Sequence, residues 1–315
     1  MDAQLLDCYE HELILAICRK VDGIGEQTAR RLAGHFGRFR ALVAADRQQL
    51  AALRNESGSR RLLGEATIEG LLGILRSYDD VVDGDIRIAW AFHIGRVFFE
   101  KQLAGVRAMR LQDLDVNPLL ARILNLRRPR DIIRFNLYQS VTRSIVTSWG
   151  RAVERMLKFS GCELGPIDVG TKGNRLDLKK LREDGTHYFQ IKSGPNTMNV
   201  GMVESLNQAI DAIEAPGVHL HLGMSYGRPD RISQQILKNL RGGEARTKTG
   251  RALWNFIAEE QDYHKAVMDV LGKAALETDQ ASFDELMKEK IQAFSEEWEA
   301  SHPGRSADDV LDDYL

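Results

Sequence analysis

Apolar and polar positions alternate with a period of two most clearly in one stretch, Arg175 to Asn199, RLDLKKLREDGTHYFQIKSGPNTMN. Leu176, Leu178 and Leu181 are apolar, Glu183-Asp184-Gly185 supplies turn chemistry, and His187 to Lys192 alternates as HYFQIK. The pattern predicts two antiparallel strands joined as a hairpin. Gly217 to Gly223, GVHLHLG, reads as a further strand with His219 and His221 on one face. Most of the remaining chain has a helical period. Helices are predicted over Leu13 to Lys20, Phe39 to Leu53, Ile68 to Tyr78, about Ile86 to Leu103, Val141 to Phe159, Asn199 to Ile213 and Trp254 to Leu276. Asp115-Val-Asn117-Pro118 reads as a turn and helix start. Strand, hairpin, helix, strand is the order of an α/β core with a mixed sheet. The helices before the acidic joint at Tyr78 to Asp85 predict a separate all-α domain, 1–80, ahead of a larger domain, 81–315.

Charge sharpens this picture locally. The formal net charge of the 315 residues is −2, so no global basic signature points to a polyanion. Yet Arg122, Arg127, Arg128, Arg130, Arg134, Arg143 and Arg151 are set against one acid, Asp131, where a solvated helix face normally mixes signs. A second basic run holds Arg231, Lys238, Arg241, Arg246, Lys248 and Arg251, and an acidic tail from Phe283 offsets both. Such segregation predicts surfaces for phosphate. The three cysteines have neither a disulfide framework nor zinc spacing and fit a reducing cytosol. The start, MDAQLLDCYEHE, is acidic where a signal peptide would be basic, and no apolar run reaches membrane-spanning length, so a bacterial cytoplasmic location is expected.

The hairpin carries the candidate chemistry. Asp177 on one strand and Lys192 at the end of the other can lie side by side. A carboxylate there suits a divalent metal through hard oxygen, and a lysine can offset charge in a phosphoryl transition state. An ordinary exposed hairpin with a surface Asp and Lys has the same spacing, and spacing alone leaves both open. His219 and His221 are a His-x-His pair of the kind that binds metal, but the sequence places no partner Cys or His to complete a site.

Near the N-terminus, Val21-Asp-Gly23-Ile24-Gly25-x-x-Thr28-Ala29-x-x-Leu32 resembles a helix-hairpin-helix element. Gly23 and Gly25 would let a short turn present N–H groups to a DNA phosphate, with Arg30 and Arg31 adding charge. A helical turn used only for packing has the same signature.

The hairpin layout resembles the PD-(D/E)XK nuclease superfamily, with Asp177 as first acid and Gln190-Ile191-Lys192 as (D/E)XK. Leu176 stands where proline is usual, and Gln190 replaces the second acid. The more specific stretch is Lys192-Ser193-Gly194-x-x-Thr197-Met198-Asn199 with Leu206-Asn207-x-Ala209, supported by Val116-Asn117-Pro118, Gly150 with Glu154, and Gly223-Met-Ser-Tyr226-Gly227. Together these resemble type II restriction endonucleases that cut interrupted GC-rich palindromes of the GGNCC kind.

The resemblance implies a PD-(D/E)XK core, with the helix-hairpin-helix as an added domain, and Mg2+-dependent cleavage of double-stranded DNA by a homodimer. It implies Asp177 and the Ile191 carbonyl as metal ligands, Lys192 as catalytic lysine, and Gln190 in the second-acid place. Glu154, or else Glu204, would supply the missing charge. DNA contacts are expected from Ser193, Asn196, Thr197, Asn199, Arg127, Arg128, Arg130, Arg134, Arg241, Arg246 and Lys248. A structure-specific repair or recombination nuclease, and an inactive DNA-binding protein with a nuclease fold, are the alternatives.

Overall fold

The computed structural model describes residues 2–55, 57–81, 83–165, 167, 176–195, 197–213, 215–278 and 282–313; Arg175 and Asn196 lie outside them. The helices α1 (Ala3–Cys18), α2 (Glu26–Phe36), α3 (Phe39–Val43), α4 (Arg47–Ala52), α5 (Glu65–Arg76), α6 (Ile86–Ala108), α7 (Pro118–Ile123) and α8 (Pro129–Lys158) come first. They are followed by β1 (Leu178–Arg182), β2 (Gly185–Lys192), α9 (Val200–Ile213), β3 (Val218–Met224), α10 (Gln234–Asn239) and β4 (Thr247–Thr249). Four helices close the chain: α11 (Arg251–Ala258), α12 (Tyr263–Thr278), α13 (Phe283–Ser301) and α14 (Ala307–Asp312).

The strands form one four-stranded sheet in the order β1-β2-β3-β4. The predicted hairpin is present: β1 and β2 are antiparallel, with Leu178 opposite Phe189 and Arg182 opposite Gly185. β3 runs parallel to β2, a pairing that needs a crossover, and α9 provides it. The sheet is therefore mixed and helix-flanked, as the pattern predicts. Leu220, Leu222 and Met224 share a core with Val203, Leu206, Ala209 and Ile210 of α9. The alternate residues face α11, where Phe256 lies 5.9 Å from the Phe189 ring. Gly223 permits that approach, because a Cβ there would stand 2.7 Å from Ile191 Cδ1 and 3.1 Å from Leu253.

Two compact units are distinguished: Met1–Ile94 with Val153–Lys273, and Gly95–Ala152 with Ala274–Leu315. The first holds the sheet together with α1 to α5. Tyr9 of α1 explains that grouping. Its hydroxyl donates to the carbonyls of Lys158 (2.8 Å) and Cys162 (2.6 Å), and its own carbonyl accepts from Trp90 Nε1 at 2.9 Å. Trp90 stacks on Phe159 with ring centroids 3.6 Å apart. The second unit buries Ile132, Ile133 and Leu137 of α8 against Met287, Ile291, Phe294 and Trp298 of α13, and Val310 and Leu311 of α14.

Several elements differ from the periodicity reading. The helix expected over 39–53 is two short helices, because Asp46 opens α4 with a capping box to Gln49. The helix expected over 254–276 is broken into α11 and α12 by Glu259 and Asp262, both at positive φ (56° and 62°). β4 was not foreseen; three residues are too few to show a period. The acidic tail folds as α13 and α14 and pairs with part of the basic run: Arg122 with Asp312 at 3.0 Å, Arg127 with Asp308 at 2.9 Å.

Candidate active site

Asp177 stands just before β1 and continues its ladder by one bond, its N–H donating to the Phe189 carbonyl at 2.9 Å. That register lays its side chain against the end of β2. Asp177 Oδ2 accepts from the Ile191 N–H at 2.6 Å and from Gln190 Nε2 at 2.5 Å. Gln190 therefore spends its amide on the carboxylate beside it, where an acid would have repelled that carboxylate.

Burial raises the Asp177 carboxyl above its usual range, and the nearby Glu154 carboxylate raises it further. The Ile191 N–H, the Lys192 ammonium and the Gln190 amide pull the other way, and the balance lies at about 6. Glu154, on α8 and half-buried, is thus close enough to act on Asp177 by charge, as is Lys192 at the end of β2. The structure brings Asp177, Glu154, Gln190, Ile191 and Lys192 together. Glu204 is exposed on α9.

A shell of hydrogen bonds fixes the chain just past the lysine. Ser225 N–H donates to the Lys192 carbonyl at 3.1 Å, and Tyr226 N–H to the Ser193 carbonyl at 3.2 Å. Ser225 Oγ donates to that same Ser193 carbonyl at 2.8 Å, while Trp254 Nε1 donates to the Ser225 carbonyl at 2.9 Å. The Tyr226 ring lies against Gly194, where a Cβ would stand 2.3 Å from it. Gly227, at φ +106°, lies against Pro195, where a Cβ would stand 2.4 Å away. The GMSYG match pointed to this segment, but no sequence signal marked Ser225 or Trp254 as its supports.

The predicted DNA-contacting residues divide into several groups. Asn199 is the cap of α9, its Oδ1 accepting from the Met202 N–H at 3.0 Å. Thr197 Oγ1 donates to the Gly194 carbonyl at 2.6 Å, and Ser193 is half-buried beside it. Asn196 lies outside the described residues. Gly23 sits at φ +86°, and Gly25 starts α2 with no side chain capping its first turn. Arg30 pairs with Glu26 at 2.8 Å, while Arg31 is half-buried.

In the basic runs, Arg127 and Arg128 pair with Asp308 and Asp131, whereas Arg130 and Arg134 are exposed. Arg241 pairs with Asp211, and its N–H donates to Asn207 Oδ1 at 2.9 Å. Arg246 closes the turn before β4, and Lys248 Nζ sits 4.1 Å above the Phe256 ring. Several expected phosphate readers thus have intramolecular partners.

Two neighbouring carboxylates, one buried enough to hold its proton to about pH 6, make a donor set of hard oxygens beside the Lys192 ammonium. That chemistry fits a small divalent cation. Asp177 Oδ2 is engaged by two donors, so Oδ1 and the Glu154 carboxylate are the oxygens suited to it.

No curated protein matches the chain. A protein-family model does: residues 92–279 match Type II restriction endonuclease EcoO109I. This segment contains Glu154, Asp177 and Lys192 and covers more than half of the sequence. The chain belongs to that family and is a type II site-specific deoxyribonuclease.

Proposed function

We propose that the protein cuts double-stranded DNA in a Mg2+-dependent reaction at a short, palindromic, GC-rich interrupted site, acting as a homodimer in the bacterial cytoplasm. The observation that carries this reading is the grouping of Asp177, Glu154 and Lys192 around one partly buried carboxylate. Asp177 and Glu154, with the Ile191 carbonyl, would hold the cation. When bound there, Mg2+ polarises phosphoryl oxygen and makes water a better nucleophile near neutral pH. Gln190 and the Ile191 N–H orient Asp177 so that one oxygen remains for the cation. The Lys192 ammonium would position the attacking water or offset charge developing in the transition state. Ser193, Thr197 and the neighbouring Asn196 lie just past the lysine, where small polar groups suit contacts to phosphate or base edges.

The turn at Gly23 and Gly25 acts as a helix-hairpin-helix phosphate contact, which adds affinity without reading sequence. Two-fold symmetry of a dimer matches a palindrome cut on both strands. The test is incubation of the protein with long duplex DNA and Mg2+. Discrete fragments are expected. Cutting confined to branched or flapped DNA would assign the protein to repair, and binding without cutting would make Gln190 the mark of an inactive site.

A further inference from the structure

At the opposite end of β2 from Lys192 lies a second cluster that the cleavage site does not use. His187 of β2 pairs in register with His219 of β3, and their rings stack with centroids 4.6 Å apart. Asp184, in the hairpin turn, brings Oδ1 to 3.1 Å from His187 Nε2. One ligand atom from each of Asp184, His187 and His219 falls within 4.8 Å of the others. His221 stands behind them, its Nε2 2.9 Å from His187 Nδ1. The His-x-His pair is therefore divided: His219 joins the open cluster, while buried His221 buttresses it. The partners missing from the sequence pattern are His187, which the parallel pairing of β2 and β3 brings alongside, and Asp184 from the turn.

We infer that Asp184, His187 and His219 form a second metal site, selective for a borderline divalent ion of the zinc class over Mg2+. Imidazole nitrogen suits Zn2+, Co2+, Ni2+ and Cu2+, whereas Mg2+ prefers carboxylate and water. Three protein ligands leave a position open to water, as the exposure of Asp184 allows. Arg182 Nε also reaches Asp184 Oδ1, at 3.3 Å. A hard cation relying on that one carboxylate would gain little, and the two imidazoles must carry the affinity.

The geometry fixes the proton placement without metal and shows what must move for a metal to bind. Without a metal, His187 Nε2–H donates to Asp184 and His221 Nε2–H donates to His187 Nδ1. His221 Nδ1 is then a bare lone pair, and it is a buried atom with no hydrogen-bond partner. Moving both rings to the Nδ1–H tautomer frees His187 Nε2 for the metal and keeps the 2.9 Å bond with donor and acceptor exchanged, but leaves the buried His221 Nδ1–H without an acceptor, a cost that metal binding must offset. Each ring keeps one proton, and His221 acts as the outer partner that orients a ligating imidazole. His187 lies four positions along β2 from Ile191, whose N–H binds Asp177, roughly 13 Å of strand, so this ion cannot be the one that serves Asp177.

The experiment is a Co2+ titration of the full chain followed by visible absorption, with Zn2+ as competitor, in the wild type and in Asp177→Asn. The expected result is one Co2+ per chain with nitrogen–oxygen bands in Asp177→Asn, displaced by Zn2+ and indifferent to excess Mg2+. His219→Gln and Asp184→Asn, at accessible positions, should each weaken it about tenfold or more in the Asp177→Asn background, and His221→Gln by a similar factor through the outer shell. His219→Gln alone should cut DNA in Mg2+ at the wild-type rate. No Co2+ binding in Asp177→Asn, or binding there that His219→Gln leaves unchanged, would overturn the assignment.

Discussion

Asp177 shows how one residue's surroundings set the conditions for the chemistry. A carboxyl pushed up to about 6 by burial and by Glu154 is protonated over much of the mildly acidic range. A cation must displace that proton, so affinity falls as pH drops through 6, by roughly tenfold per unit below it, and levels off above it. Ca2+ binding measured by calorimetry from pH 5 to 8 in His219→Gln should follow that curve. A flat profile would mean that Asp177 is not a ligand. Lys192→Ala should slow single-turnover cleavage by about 10²–10³-fold while specific DNA binding in Ca2+ persists.

Glu154→Gln should shift the Mg2+ dependence to higher concentration and lower the Asp177 pKa, since one negative neighbour is gone. Glu204→Gln should follow the wild-type curve; a dead Glu204 variant would relocate the acid to α9. Gln190→Glu loses the bond to Asp177 Oδ2 and adds charge, so it should tighten Mg2+ binding at pH 8 and make its pH dependence steeper. At this scale the sequence was informative where register decides the outcome, since Asp177 must meet Gln190 and Ile191 once the strands pair. Glu154 was suggested by the family resemblance. That Gln190 serves as a donor to Asp177, and is more than a missing acid, depends on side-chain geometry that a one-letter pattern does not carry.

Among the elements, the hairpin and β3 were legible because a period of two survives in short strands. The broken helices were not. Positive φ at Glu259 and Asp262 occurs at residues that a reader takes as helix formers or surface acids, and only the close packing of α11 on the sheet reveals the stop. Asn199 shows two readings of one residue. Its position after the lysine suggested DNA contact, while its hydrogen bond makes it the cap of α9. Asn199→Ala should lower stability by about 1 kcal/mol through the lost cap, read by urea denaturation. Asn199→Asp keeps the cap and adds a negative charge, so stability should hold. If DNA passes this point, its affinity should drop in Asn199→Asp alone. Unchanged affinity would leave Asn199 as a cap only.

For the molecule as a whole, the segregation of charge was legible and its resolution was not. Local counting left Arg122 and Arg127 without acids, yet both find them in Asp308 and Asp312, some 180 to 190 residues on. Pairs this exposed contribute little to stability, of order 0–1 kcal/mol, but they do occupy the guanidinium groups. If Arg127 meets DNA phosphate, Asp308→Asn should strengthen binding at low salt and steepen the dependence of log K on log salt by about one. An unchanged slope would place this face away from DNA.

The close approach of Tyr226 to Gly194, and of Gly227 to Pro195, limits how this enzyme can drift. A side chain gained at 194 meets an aromatic ring, and one gained at 227 meets both a proline ring and an unfavourable backbone. Neither position can change first without cost, so lineages should alter 194 together with 226 or leave both alone. A selection for active enzyme from a library randomised at 194 and 226 should return either the parental pair or paired replacements in which the larger residue at 194 faces a smaller one at 226.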